Sequence, residues 1–154
     1  NVNASKIRNR KTEIFSSSIM KNKQKLRKSV NEIINFTKKN NIKLALSTST
    51  TINNVEAVFK SLSNQISKED FHFIGNRSLV KNEKPNPEIY KLTLEKLNLE
   101  PDNCLAIEDT EESSKSAVSA GIKCIGFPGD YHSDDSFEMC IKKVKILDQS
   151  LFSL

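Results

Sequence analysis

Residues 104–109 read Cys104-Leu105-Ala106-Ile107-Glu108-Asp109, an apolar run that stops on two adjacent carboxylates. Four apolar residues without polar alternation predict a strand buried on both faces. A run of small residues follows over 113–120, then Gly121, then a second apolar run over 122–127. A short helix halted by glycine between two buried strands is a β-α-β unit, and the strands of such a unit lie parallel. The rest of the chain alternates in the same way. A helix is predicted over 26–39, with Leu26, Val30, Ile33, Ile34 and Phe36 as its apolar stripe. A strand over 42–46 runs into the hydroxyl cluster Ser47-Thr48-Ser49-Thr50-Thr51. The next helix carries Val55, Val58, Phe59 and Leu62, and a short strand over 71–74 is expected to break at Gly75. Lys84-Pro85-Asn86-Pro87 opens a further helix with Pro87 in its first turn, where the missing N–H costs nothing. A last strand is expected over 143–147, and a weakly amphipathic helix over 4–20 precedes everything else. The fold class is α/β: a three-layer, Rossmann-like architecture with a mostly parallel sheet between helices.

In such sheets the chemistry lies beyond the carboxyl ends of the strands. That rule selects three places: Ser47 to Thr51, the loop carrying Lys84, and Glu108-Asp109. Thr48 offers a hydroxyl one residue past its strand, with Ser47 or Ser49 as the fallback. The turn after it offers backbone N–H groups, and both kinds of donor bind phosphate oxygens. Lys84 supplies a point charge able to neutralise a phosphate or a neighbouring carboxylate. Two adjacent carboxylates at the end of a buried strand need a cation, and hard oxygen donors suit Mg²⁺. Hydroxyl, lysine and acid pair together describe a magnesium-assisted phosphoryl-transfer site.

These segments resemble the haloacid dehalogenase-like hydrolase superfamily. The likeness is strongest to the branch of β-phosphoglucomutase, phosphoglycolate phosphatase and the CbbY-like sugar-phosphate phosphatases. The stretch from Leu44 through Thr48 to Thr51 is similar to the second family motif, a strand ending in a phosphate-binding Ser/Thr. Lys84-Pro85-Asn86-Pro87-Glu88-Ile89-Tyr90 is similar to the third, K-P-x-P-x-x-[YF]. Leu105-Ala106-Ile107-Glu108-Asp109-Thr110, with Ala117 and Ala120-Gly121 beyond, is similar to the fourth. Arg10-Lys11-Thr12 resembles the CbbY-like cap helix, which makes Arg10 and Lys11 candidate substrate contacts. Pro128-Gly129-Asp130-Tyr131 with Asp134-Asp135-Ser136-Phe137 resembles the CbbY-like tail. The resemblance implies Thr48 and Lys84 as catalytic, Ser49, Lys11 and Arg10 as substrate-binding, and Asp109 and Glu108 as ligands of Mg²⁺. It implies hydrolysis of a small phosphorylated sugar or acid through an aspartyl-phosphate, by an enzyme monomeric at full length.

Three departures stand out. The family nucleophile sits in a D-x-D-G-[TV] motif on the first strand, and this chain contains no D-x-D. Ser113 stands where the fourth motif usually has Gly. Leu26-Arg27-Lys28-Ser29-Val30 stands where L-x-P-G-V is common. These departures predict that residues 1–24 are the C-terminal remnant of a helical cap and its hinge. Residues 25–154 are then a core lacking its first strand, inactive by itself.

Composition narrows the field further. The chain has 154 residues, 36% of them apolar, which suffices for one core. The charge is uneven. Residues 1–43 carry twelve Lys/Arg against two acids, +10, and the remainder carries −5. A basic arm beside an acidic body raises a rival reading, a non-catalytic scaffold that binds nucleic acid or protein. The arm's only aromatics, Phe15 and Phe36, lie on or beside apolar stripes rather than offering base stacking. A degenerate scaffold would not be expected to keep Lys84 and Asp109. The expected partner is therefore a small phosphorylated metabolite, with neither nucleic acid nor membrane. Cys104, Cys124 and Cys140 form no metal-binding pattern and read as buried thiols of a reducing compartment, the cytoplasm or an organelle stroma.

Overall fold

The computed structural model describes residues 24–153, together with Ile7, Arg10, Glu13, Ile14, Ser18 and Ile19. The expected alternation is present. In chain order the main elements are α1 (Val30–Lys39), β1 (Ala45–Ser47), α2 (Ile52–Ser61), β2 (Phe73–Gly75), α3 (Glu88–Leu97), β3 (Leu105–Glu108), α4 (Glu111–Ser119), β4 (Lys123–Gly126) and β5 (Lys142–Lys143).

Every strand pairing among the described residues is parallel. β1 pairs with β2 in one sheet, and β3, β4 and β5 follow one another in a second. Helices cover both faces. Ile89, Tyr90 and Leu94 of α3 pack with Ala117 of α4 on Ala106 and Cys124. On the opposite face Ile33 of α1 meets Ile125 and Phe127, while Ile34 joins Val55 and Phe59 of α2. Burying each such aliphatic side chain stabilises by about 1.5–3 kcal/mol. The small residues of α4 matter here. Ser114, Ser116 and Ala117 are almost fully buried, so the helix backbone lies close against β3 and β4.

Local chemistry sets the helix ends. Thr51 caps α2 by accepting the Asn54 N–H, and Thr110 caps α4 by accepting the Ser113 N–H at 3.2 Å. Ser113, at the position where a glycine is usual, sits in the first turn of α4 and uses its backbone N–H for that cap. Asn98 closes α3 in the left-handed region, a conformation that asparagine tolerates.

Five expectations need correction. Helix α1, expected over 26–39, begins at Val30 rather than Leu26, because Ser29 takes φ 72° and interrupts helical geometry. Ser29 thus holds by itself the left-handed conformation for which glycine is the usual residue. Its hydroxyl accepts the buried Leu147 N–H at 2.8 Å, which ties the chain ahead of α1 to the C-terminal segment. Gly75 ends β2 from inside the strand instead of breaking it; a Cβ there would come within 2.9 Å of Ile89 Cδ1. Pro87 is the N-cap of α3 rather than a first-turn residue. Of the three cysteines only Cys124 is fully buried, while Cys104 and Cys140 are half-buried. The last strand is also short, two residues at Lys142–Lys143.

Candidate active site

The carboxyl ends of β1 and β3 meet at one side chain. Lys84 Nζ donates to the Ser47 carbonyl oxygen at 2.9 Å and to Glu108 Oε1, joining the ends of strands from two different sheets. Its side chain is only 6% exposed and that of Glu108 9%, so the ion pair is buried. The same Glu108 oxygen accepts the Tyr90 hydroxyl. Burial first, and then the adjacent Glu108, push the Tyr90 phenol well above its ordinary value, so it stays a donor. Lys84 Nζ also lies 5.0 Å from the centre of the Tyr90 ring. An ammonium has three N–H donors. Two are used within the protein, and the third has no oxygen acceptor among the described residues.

The loop that delivers Lys84 is held at both ends. Glu88 accepts the Lys81 and Asn82 N–H groups at 2.8 and 2.9 Å, and the Asn82 side chain as well. Ser116, buried in α4, donates to the Asn86 carbonyl at 2.7 Å. The Lys84–Pro85 peptide between these anchors is cis.

The hydroxyl cluster after β1 divides its work. The Thr93 hydroxyl donates to Ile89 O at 2.7 Å, so the 2.8 Å bond between Ser47 Oγ and Thr93 Oγ1 is donated by Ser47. Ser47 is thereby committed to α3. Thr48 Oγ1 accepts the Thr50 N–H at 3.2 Å, which leaves its own O–H available. Ser49 is half-buried beside it.

The acid pair splits by direction, because successive residues leaving a strand point to opposite sides. Glu108 faces inward to Lys84 and Tyr90. Asp109 is exposed and makes no hydrogen bond or ion pair with the described residues. Two residues on, Glu111 Oε1 accepts Ser136 Oγ at 2.5 Å and Phe137 N at 2.9 Å, and these bonds hold its carboxyl below the ordinary glutamate value. They fasten the polar loop after β4 to the start of α4. The ring of Phe137 lies against Gly126, where a Cβ would stand 2.5 Å from Phe137 Cδ1. Arg27 secures the same loop from the other side, donating to the Phe127 and Pro128 carbonyls at 2.6 Å each.

Among the described residues no three His, Cys, Asp or Glu side chains come together to hold a metal. The donor chemistry nevertheless fits Mg²⁺ in part. Asp109 is a free, hard carboxylate at the end of a strand, and Mg²⁺ is commonly held by one or two carboxylates together with waters and phosphate oxygens. Of the remaining candidates, Arg10 is exposed and paired with Glu13 at 3.1 Å, and Lys11 lies outside the described residues. Sequence reasoning missed Tyr90, Ser116, Glu88 and Arg27 as site-building residues. Tyr90 alone left a signal, as the last residue of the K-P-N-P-E-I-Y stretch.

Parallel strands between helices, with a hydroxyl, a buried lysine and an exposed carboxylate at the strand ends, are an arrangement chemically suited to a phosphate group. Comparison with known proteins gives the family. A family model described as haloacid dehalogenase-like hydrolase matches residues 2–127, and the chain belongs to that family. Protein CbbY of Cereibacter sphaeroides is 33% identical over 127 residues, 82% of this chain and 55% of that protein. A phosphorylated carbohydrates phosphatase of Thermotoga maritima is 36% identical over 121 residues, 78% of this chain and 52% of that one. The chain therefore spans about half the length of these curated relatives. The crystal structure of CbbY from Rhodobacter sphaeroides in complex with phosphate superposes with a TM-score of 0.88 at 29% identity, covering 97% of this chain and 66% of that one. A mutant of the same protein in complex with xylulose-(1,5)bisphosphate gives a TM-score of 0.84 at 31% identity, covering 91% and 62%. The fold expectation and the likeness to the CbbY branch are both borne out. No helix among the described residues is long and apolar enough to cross a membrane.

Proposed function

We propose that this chain is the phosphate-binding part of a Mg²⁺-dependent phosphatase acting on a small phosphorylated sugar or acid. In this reading residues 1–24 belong to the cap and hinge and residues 25–154 to the core. The observation that carries it is the buried Lys84, held between the Ser47 carbonyl and Glu108 with one N–H to spare. Relatives described as a phosphorylated carbohydrates phosphatase and as CbbY bound to a sugar bisphosphate support the substrate class.

Each residue then has a distinct task. Thr48 donates its free O–H to one phosphoryl oxygen, and Ser49 supplies a neighbouring hydroxyl. Lys84 donates to a second oxygen and stabilises the charge that spreads over the phosphoryl group as the leaving oxygen departs. Glu108 and Tyr90 hold that lysine in place, which prepays its orientation before substrate arrives. Asp109 would hold Mg²⁺, which supplies Lewis-acid polarisation of the phosphoryl oxygens when bound. Arg10 and Lys11 are the candidate contacts for the substrate from the cap side. The attacking carboxylate and the general acid/base of an aspartyl-phosphate mechanism must come from a D-x-D strand, which this sequence lacks.

The test uses p-nitrophenyl phosphate with Mg²⁺. The chain alone is expected to give no turnover. The chain joined behind the first strand and cap of the Thermotoga maritima phosphatase is expected to turn over, and to lose that activity on Lys84→Ala or Asp109→Ala. Turnover by the chain alone that Asp109→Ala abolishes, or a joined protein indifferent to Lys84→Ala, overturns the proposal.

A further inference from the structure

Two of the three cysteines lie side by side at the β4–β5 edge. The Ile141 N–H donates to the Cys124 carbonyl at 2.9 Å, which fixes Cys140 one residue before the backbone facing Cys124. Cys140 stands two residues ahead of β5, and its thiol lies within hydrogen-bonding reach of the Cys124 thiol. Two thiols in contact are neighbours of the kind a disulfide joins. Both side chains turn to the same face: Cys124 is fully buried in the cluster beneath α3 and α4, and Cys140 packs half-buried against that cluster. Cys104 also touches the cluster, but β3 register sets it opposite Ile122, two residues from Cys124, and its thiol donates to the Glu100 carbonyl at 3.4 Å.

We propose that Cys124 and Cys140 are a reversible oxidation site that closes to a disulfide by exchange with a small-molecule disulfide. The half-buried Cys140 is the thiol such an oxidant reaches. Its thiolate attacks one sulfur of the oxidant, forming a mixed disulfide and expelling one thiolate. The Cys124 sulfur, giving up its proton to that thiolate or to water, then attacks Cys140 Sγ and expels the second. The chain loses two hydrogens and the oxidant is reduced to two thiols. Burial, and next the neighbouring Cys140 thiol, push Cys124 up to about 12, which agrees with Cys140 reacting first and Cys124 serving as the resolving thiol. The ring so closed encloses residues 125–139, including the loop that Glu111 fastens to the start of α4. Oxidation therefore pins the base of the loop beside the candidate site, a property independent of whether the phosphatase reading holds.

The experiment treats the native chain with glutathione disulfide. The expected result is an intact mass lower by about 2 Da, free thiols falling from three to one, and a digest peptide joining residue 124 to residue 140. Dithiothreitol should reverse all of it. Cys104→Ser should leave the cross-link intact, and Cys140→Ser should abolish it. Once the mixed disulfide has formed on Cys140, its closure should be at least about tenfold slower in denaturing urea, where only chance encounter brings the sulfurs together. Three persisting thiols, a glutathione retained on Cys140 without closure, a link through Cys104, or equal closure in urea each overturn the proposal.

Discussion

Replacing Lys84 by methionine strips the cation from the buried pair while keeping most of the apolar stem. The carboxylate of Glu108, 9% exposed, is then left with the Tyr90 hydroxyl as its remaining described partner. Removing one member of a buried ion pair costs about 3–5 kcal/mol, because the other charge stays desolvated and uncompensated. A domain of this size has a total stability of about 5–15 kcal/mol, so Lys84→Met should fold but unfold at much lower urea. Glu108→Gln is milder, since the glutamine carbonyl can still accept from Lys84 and Tyr90; about 1–3 kcal/mol is expected. The informative variant is the double one. With Lys84→Met and Glu108→Gln together no charge is stranded, and the loss should fall short of the sum of the two single losses by about 2 kcal/mol or more. Urea unfolding followed by far-ultraviolet circular dichroism measures all four corners of this cycle. Losses that add to within about 0.5 kcal/mol would show that the two side chains do not share a desolvated contact, and the reasoning about the site would fall with them.

Other substitutions probe the scaffold. Ser29→Ala loses the acceptor for the Leu147 N–H and keeps the left-handed strain, whereas Ser29→Gly loses the acceptor but relieves the strain. Alanine should therefore be the less stable of the two by about 1 kcal/mol in urea titrations; equal values would contradict the backbone conformation described. Gly126→Ala drives a methyl into the Phe137 ring and should cost about 1–3 kcal/mol, a cost that Phe137→Ala in the same chain should largely remove. The Asp70 carboxyl is held below its ordinary value by Lys38 first and the Ser67 N–H second. A lowered native value means that the contribution is complete above the unfolded aspartate value and is lost as the pH falls through the native one. Asp70→Asn should thus be less stable than the wild type at pH 6, and the gap should close below about pH 4.

What the sequence made readable, and what it hid, divides along a physical line. The strand ending in Glu108-Asp109 and the helix after it lie within two residues of expectation, since unbroken apolar runs and small-residue helices are local signals. Thr48 and Lys84 were reachable for the same reason, each standing next to a recognisable strand end or proline pair. The shortened start of α1 was not reachable, because only the backbone angle of Ser29 distinguishes a turn there from one more helical residue. Gly75 was misread because a glycine needed for close approach to Ile89 looks, in sequence, like one needed for a turn. The division of the acid pair was hidden as well. It depends on Tyr90, eighteen residues before Glu108, and on a carbonyl at Ser47, and neither contact leaves a mark in composition or spacing.

Among the described residues the strands form two ladders, and no backbone hydrogen bond between strands joins β1 to β3. In hydrogen-exchange terms the molecule should contain two protection groups rather than one. Amides of β3 and β4, enclosed in a three-strand ladder beneath α4, should exchange slowly and together. Those of β1 and β2, which form a two-strand ladder, should open at lower free energy. The Lys84 side chain is then a stitch between two cooperative units, and a phosphate oxygen accepting its third N–H would bind most tightly when both units are closed. An anion bound there should slow exchange in β1 and β2 more than in β3 and β4, because the weaker unit has more protection to gain.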